Sequence, residues 1–378
     1  EDGNEVTNPL SYLVLEATHW LRIPVNVAVS VGKTVPKDLL LNGVEILFED
    51  KTGIPKFLGI DNTIEGFTKN GFSIELARTR AYSGCHWYGL PGREYCINDC
   101  IKINFPVIFD LAFREMLQNN NEEPSIEKLW FLFEKHLSQS IDVMARCLDF
   151  QFEHMWEVYP ELHLSLLCHG TIEKGLDASN GGVEYYNFGL DGAGLATVAD
   201  SFAAVEQRVV REKRISWKDL LKQLDNNWSG TDGEKIRLMM KNIPRYGSGS
   251  SIADEYAVKI AKTFTKLVKE KKTPEGHNMT PGLFSWASHI AMGQDVGATP
   301  NGRFARAPIS HGSNPDPGFR KDGALTALSN AIASVQSGYG NASPLQLEVD
   351  PGISKDEGGL ELISNLISTH FELGGSQI

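Results

Sequence analysis

No apolar run in this sequence approaches the roughly 18 residues that a membrane-spanning helix requires, so no membrane partner is expected. Positive charge is in short supply, with 36 Lys+Arg against 48 Asp+Glu and a formal net charge of −12. An acidic chain offers no electrostatic footprint for nucleic acid or for an anionic lipid surface. Cysteine is scarce too: five residues, an odd number scattered over 378, do not make a disulfide framework. A reducing cytoplasm is the expected compartment. Cys96 and Cys100 are close enough to suggest a metal pair, with His86, His163, Cys168 and His169 also present, but no second matched pair completes a zinc set. No metal is expected. Internal repeats and clean linkers are absent as well, so residues 1–378 read as one continuous domain. The chain opens without Met or a signal-peptide pattern and closes just after a helix, on Gly374-Gly375-Ser376-Gln377-Ile378, which reads as a fragment of a longer polypeptide.

What is present is an alternation of strand and helix signals. Ser11–Leu21 has a helical pattern, with Leu13, Leu15, Ala17 and Trp20 available to a core. Val25–Val31 alternates as a strand with its valines on one face. Pro36 begins a helix to about Phe48, Lys51–Asp61 contains a short buried strand, and helices follow at Asn62–Lys69 and after Ser73. Units of this length argue for an α/β architecture with crossovers. Ile101–Leu117 is apolar and turns helical. Ile126 to Met155 carries apolar residues at three- and four-residue steps behind a Ser125 cap, which predicts one long packed helix. Leu162–Cys168 is expected to be a buried strand, with Cys147 and Cys168 inert core thiols. Helices are expected at Ala196–Glu212, Trp217–Asn227, Ile252–Lys272, Ala324–Ser334 and Gly359–Leu373, and a strand at Pro344–Val349. The loop-rich stretch from Thr273 to Gly323 holds Arg303, Arg306 and Arg320, which tie down either backbone carbonyls or carboxylates, the former being preferred. The glycines between Gly170 and Gly194 match no nucleotide-binding loop and read as tight turns and close backbone approaches.

One stretch fits neither period. Ala81–Asn98, AYSGCHWYGLPGREYCIN, sets Cys85 among aromatic residues broken by Gly89, Pro91 and Gly92. Glycine and proline at this density argue for a loop, while Trp87, Tyr88 and Tyr95 call for burial. A glycine-hinged loop projecting into an interior satisfies both, and Cys85 is the group it would present. An ordinary thiolate nucleophile with His86 as base is disfavoured, because adjacent side chains diverge.

Four stretches carry a resemblance that covers nearly the whole chain: NPLSYLVLEA, ARTRAYSGCHW, GLDASNGGVEYYNFGLDGAGLATVADSFAAVEQRVVREKRISWKDLL and VGATPNGRFARAPISHGSNPDPGF. The sequence resembles the glycyl radical enzymes, a family that includes pyruvate formate-lyase, the B12-independent diol dehydratases and the arylacetate decarboxylases. The resemblance implies a ten-stranded α/β barrel of two half-barrels, with helices outside and a loop carrying Cys85 to the centre. It also implies no directly bound cofactor. A glycyl radical, installed by a separate S-adenosylmethionine-dependent activating enzyme, would withdraw the thiol hydrogen of Cys85, and the thiyl would take hydrogen from a small-molecule substrate. The radical glycine is expected outside this chain, and a homodimer is expected.

The neighbours of Cys85 depart from the best-known members. Trp87 stands where many dehydratases carry glutamate, and His86 follows Cys85 where pyruvate formate-lyase has a second cysteine. The strand NASPLQLEV lacks the amide-rich pattern expected of a dehydratase. Glu94 and His86 are the candidate acid–base groups, Glu94 being equally readable as a structural ion pair with Arg93. His86, Trp87 and Tyr88 are the candidate substrate-binding wall, with plain loop packing the alternative for the aromatics. The expected activity is carbon–carbon cleavage or decarboxylation of a small carboxylate. The alternatives are a glycyl radical dehydratase acting on a diol, and a catalytically inactive barrel serving as a binding subunit.

Overall fold

Alternation and crossover lengths lead to the architecture seen in a computed structural model of the chain. It describes residues 5–22, 25–84, 86–118, 122–316, 325–336 and 341–378, so Cys85 and Arg320 lie outside the described residues. Strand β1 (Ala28–Val31) runs parallel to β2 (Lys56–Gly59), and the helix Lys37–Asp50 crosses between them. Val29 and Val31 point inward, as their alternation predicts, and pack with Leu40 and Val44 of that helix and with Ile367 and Phe371 of the helix Gly359–Glu372. Gly43 lets the crossover helix approach closely, since a Cβ there would meet Val29 and Phe57 at 3.2 and 3.3 Å. The first helix, Pro9–Leu21, is capped by Asn8, but of the four residues assigned to a core only Leu15 is buried. Leu13, Ala17 and Trp20 face outward.

A short antiparallel hairpin, β3 (Ala81–Ser83) and β4 (Trp87–Gly89), pairs Tyr82 with Tyr88 and Ser83 with Trp87. The segment read as a loop therefore carries a short hairpin, with Ser83 and Trp87 as its last described pair. The chain then enters β5 (Glu94–Asn104), the first strand of a parallel sheet with β6 (Tyr185–Ala193) and β7 (Asn278–Gly282), in the order β5-β6-β7. Helices Phe105–Gln118 and Ile126–Val158 follow β5, and Leu195–Val205 and Ile252–Glu270 follow β6. They bury the outer face of the sheet in the main core.

Several expectations fail here for physical reasons. Leu162–Leu167 is a helix rather than a buried strand, with Leu162, Leu166 and Leu167 exposed. The strand lies instead in the glycine-rich run, because Gly189 and Gly192 let other chain segments press against β6. A Cβ at Gly192 would overlap the Phe105 ring, and one at Gly189 would overlap the Asn98 carbonyl. Pro344–Val349 forms no strand. Cys147 is exposed, while Cys168 is buried as expected.

The described residues hold seven strands in three sheets, and they do not by themselves form the ten-stranded barrel; the α/β character stands. Coil segments nevertheless join the two parallel sheets. Leu283 N–H donates to the Ala342 carbonyl at 2.9 Å, Leu345 N–H to Gln377 at 3.0 Å, and Phe57 and Ile378 exchange two bonds of 2.9 Å. Backbone hydrogen bonding thus continues from β7 through the C-terminal tail to β2. No helix among the described residues is long and apolar enough to cross a membrane.

Candidate active site

Because successive side chains of a strand point to opposite faces, the β5-β6-β7 sheet has two chemical personalities. Tyr95, Ile97, Phe188, Leu190 and Met279 enter the core on the helix side. Glu94, Asn187, Asp191 and Thr280 fall on the other side, where every one of them is buried and polar. A sheet face turned toward solvent would leave such groups wet; here they line an interior.

Glu94 stands at the mouth of this face, next to the hairpin. Its carboxylate accepts Leu90 N–H at 2.7 Å and the Asn187 amide at 2.5 Å, and it hydrogen-bonds the Cys96 thiol. Burial is the largest influence and lifts its pKa above the usual carboxylate value, while those hydrogen bonds pull the other way. Arg93 does not pair with it. That guanidinium turns outward to Glu184 at 2.5 Å, which leaves Glu94 uncompensated by any cation in the same stretch. A Cβ at Gly89 would sit 2.8 Å from Cys96 Sγ, so any larger residue there would push the thiol aside. Glu94, Tyr88, Asn98, Asn187 and Thr280 line a small cavity with Phe67 and Phe72.

The hairpin tip supplies the other side chains singled out by the sequence. Trp87 meets the Phe284 ring edge-on at 5.4 Å between centroids, and His86 meets the same ring at 6.0 Å. Both the Trp87 indole N–H and His86 Nδ1 are buried without a hydrogen-bond partner among the described residues. Burial first, and then the charges of Lys56 and His311, push His86 down to about 3, so its imidazole is neutral at physiological pH. His311, on the far side of Phe284 at 5.4 Å, is pushed down to about 4, again chiefly by burial. Tyr88 packs into the small core beneath the hairpin. Its hydroxyl lies 3.2 Å from Thr63 Oγ1, and the Arg80 guanidinium lies 5.6 Å from its ring.

Three further groups that sequence reasoning passed over complete the picture. Asp191 is fully buried, accepts from Asn341 at 2.9 Å, and leaves Oδ2 without a partner among the described residues. Burial holds its pKa well above the usual value, opposed mainly by Lys102. Asn341 also donates to the Asn98 carbonyl at 3.1 Å. Gln377, in the tail, donates to the His86 carbonyl at 2.8 Å. The i, i+4 spacing of Asn187 and Asp191 inside an alternating segment was the available signal for the inner face; nothing local marked Gln377.

Arg303 resolves as a structural residue. Its guanidinium donates to the carbonyls of Gly293, Gly297, Ala307 and Pro308 at 2.5 to 3.2 Å, as preferred for this stretch.

A family of proteins described as pyruvate formate lyase-like matches residues 1–293. The chain belongs to this family of glycyl radical enzymes. It is 28% identical over its whole length to trans-4-hydroxy-L-proline dehydratase of Clostridioides difficile, covering 49% of that protein. It is 23% identical, again over 100% of the chain and 48% of the relative, to the 4-hydroxyphenylacetate decarboxylase glycyl radical subunit of Clostridioides difficile strain 630. The glycerol-bound B12-independent glycerol dehydratase of Clostridium butyricum superposes with a TM-score of 0.91 at 26% identity, covering 100% of this chain and 49% of that one. The chain therefore spans about half the length of the curated relatives it matches.

Proposed function

We propose that this chain is the part of a glycyl radical lyase that holds and works on the substrate, and that the reaction is elimination from a small, neutral, hydroxylated molecule. The observation that carries this reading is Glu94: a buried carboxyl with a raised pKa on the polar inner face, held by Asn187. A carboxyl whose proton is held more tightly by burial is suited to protonate a departing hydroxyl, which leaves as water. The carboxylate left behind accepts from Leu90 N–H and Asn187 in the same positions.

The cations around the hairpin and the inner sheet face argue against the carboxylate substrate expected from sequence. Lys102 is tied to Asp99, Lys56 donates to Asn26 at 3.2 Å, Arg80 donates to the carbonyls of Ile60 and Ala77, and His86 and His311 are neutral. Asparagine, threonine and a buried carboxyl suit hydroxyl groups instead. The glycerol-bound dehydratase that superposes on the chain supports this choice.

The radical group, installed by a separate S-adenosylmethionine-dependent enzyme, would supply one service, removal of the Cys85 thiol hydrogen. Cys85 would then take a hydrogen atom from the carbon bearing one hydroxyl. Glu94 would protonate the neighbouring hydroxyl as its C–O bond breaks and water leaves. The hydroxyl on the radical carbon would give its proton to the Glu94 carboxylate as it becomes a carbonyl, and Cys85 would return the hydrogen atom to the product radical. The aromatic wall of Trp87 and Phe284 excludes water from this exchange. The test is incubation of the anaerobically activated full-length protein with glycerol, trans-4-hydroxy-L-proline and 4-hydroxyphenylacetate. Loss of water from glycerol is expected, and dehydration of trans-4-hydroxy-L-proline alone would overturn the choice of a neutral substrate. Release of carbon dioxide from 4-hydroxyphenylacetate, with no dehydration, would overturn the proposal.

A further inference from the structure

The cavity beside Glu94 is too small for an organic substrate. It leaves about 10 Å3 for the centre of a water molecule, the room that one buried water needs. The three carbons and three oxygens of glycerol do not fit where one water does. Its apolar side is made by the rings of Phe67 and Phe72, whose centroids lie 5.3 Å apart. Its polar side is made by Glu94 and Asn98 of β5, Asn187 of β6 and Thr280 of β7, so every strand of the parallel sheet contributes. The protein uses these groups only in part. Asn187 gives its NH2 group to Glu94 at 2.5 Å, and Asn98 gives its own to the Tyr88 carbonyl at 3.1 Å. Among the described residues that leaves Asn187 Oδ1 and the Thr280 hydroxyl to the cavity, although both residues are buried. Buried polar atoms of this kind call for a partner.

We propose that this cavity is a single-water site, and that it receives the water expelled in the reaction. The inference rests on the reading of Glu94 as the group that protonates the departing hydroxyl. In that step the Glu94 proton moves to the hydroxyl oxygen, and the C–O bond breaks with its electron pair staying on that oxygen. Glu94 is left as a carboxylate with a water beside it. In the cavity that water donates to Asn187 Oδ1 and to the Glu94 carboxylate and accepts from the Thr280 hydroxyl. Three bonds are the usual complement of a buried water. Glu94 then regains its proton from the hydroxyl that becomes the carbonyl, and the water stays with Asn187 and Thr280, apart from the product radical.

The test uses the full-length protein and two substitutions. Thr280→Val keeps the size of the side chain and removes its hydroxyl, while Thr280→Ser keeps the hydroxyl. Crystals of the wild type and of Thr280→Ser, before activation, are expected to show one ordered water bonded to residue 280 and to Asn187; crystals of Thr280→Val should show none. In activated protein supplied with glycerol, Thr280→Val should lower kcat about tenfold, the worth of one hydrogen bond, and leave KM unchanged. Thr280→Ser should restore kcat. A wild-type crystal with no water in the cavity would overturn the proposal. So would an unchanged kcat, or a raised KM, which would make the cavity part of the substrate pocket. Full turnover by Glu94→Gln protein, measured separately, would instead overturn the reading of Glu94 on which the proposal rests.

Discussion

Asn187 donates its side-chain amide to Glu94 at 2.5 Å, from β6 to the neighbouring strand β5. The bond lies on the inner face of the parallel sheet, where both residues are buried. It favours the ionised form of Glu94, against the larger effect of burial. Glu94→Gln, which keeps the shape and removes the proton donor, should lower turnover about a hundredfold or more without unfolding the protein. Asn187→Ala should do something different. With its hydrogen bond gone the Glu94 pKa rises further, so the alkaline limb of the kcat/KM profile should move to higher pH. A limb that stays in place or moves down would separate Glu94 from the proton transfer.

Gly192 faces the Phe105 ring so closely that even a methyl group would overlap it. Gly192→Ala should cost about 2 kcal/mol through overpacking, read as a lower urea midpoint with an unchanged slope.

His370 is fully buried, and burial pushes it down to about 4. The folded protein therefore binds fewer protons than the unfolded chain between pH 4 and about 6.5. Stability is present above that window and is lost as pH falls through it. Between pH 7 and pH 5 this one group accounts for about 2 kcal/mol, and His370→Gln should flatten that part of the stability profile. Urea titrations at the two pH values check it.

Periodic elements were the ones open to reading from residues alone. The helix Ile126–Val158 and its Ser125 cap follow directly from apolar spacing, and so does the inward side of Val29 and Val31. β6 was hidden because its glycines, which break a strand pattern locally, answer to partners distant in sequence: Gly192 to Phe105 and Gly189 to Asn98. Leu162–Leu167 misled in the opposite direction, since its apolar side chains are exposed on a helix. In the site, Glu94, His86 and Trp87 stood out by residue type. Asn187, Asp191 and Gln377 did not, because each matters through contacts made across strands or from the tail.

The central claim is that Cys85 carries the hydrogen-atom transfer, and Cys85→Ser in the activated full-length protein tests it most directly. The account predicts a radical signal of wild-type intensity by electron paramagnetic resonance together with no product from any of the three substrates. Product formation by the Cys85→Ser protein would contradict it.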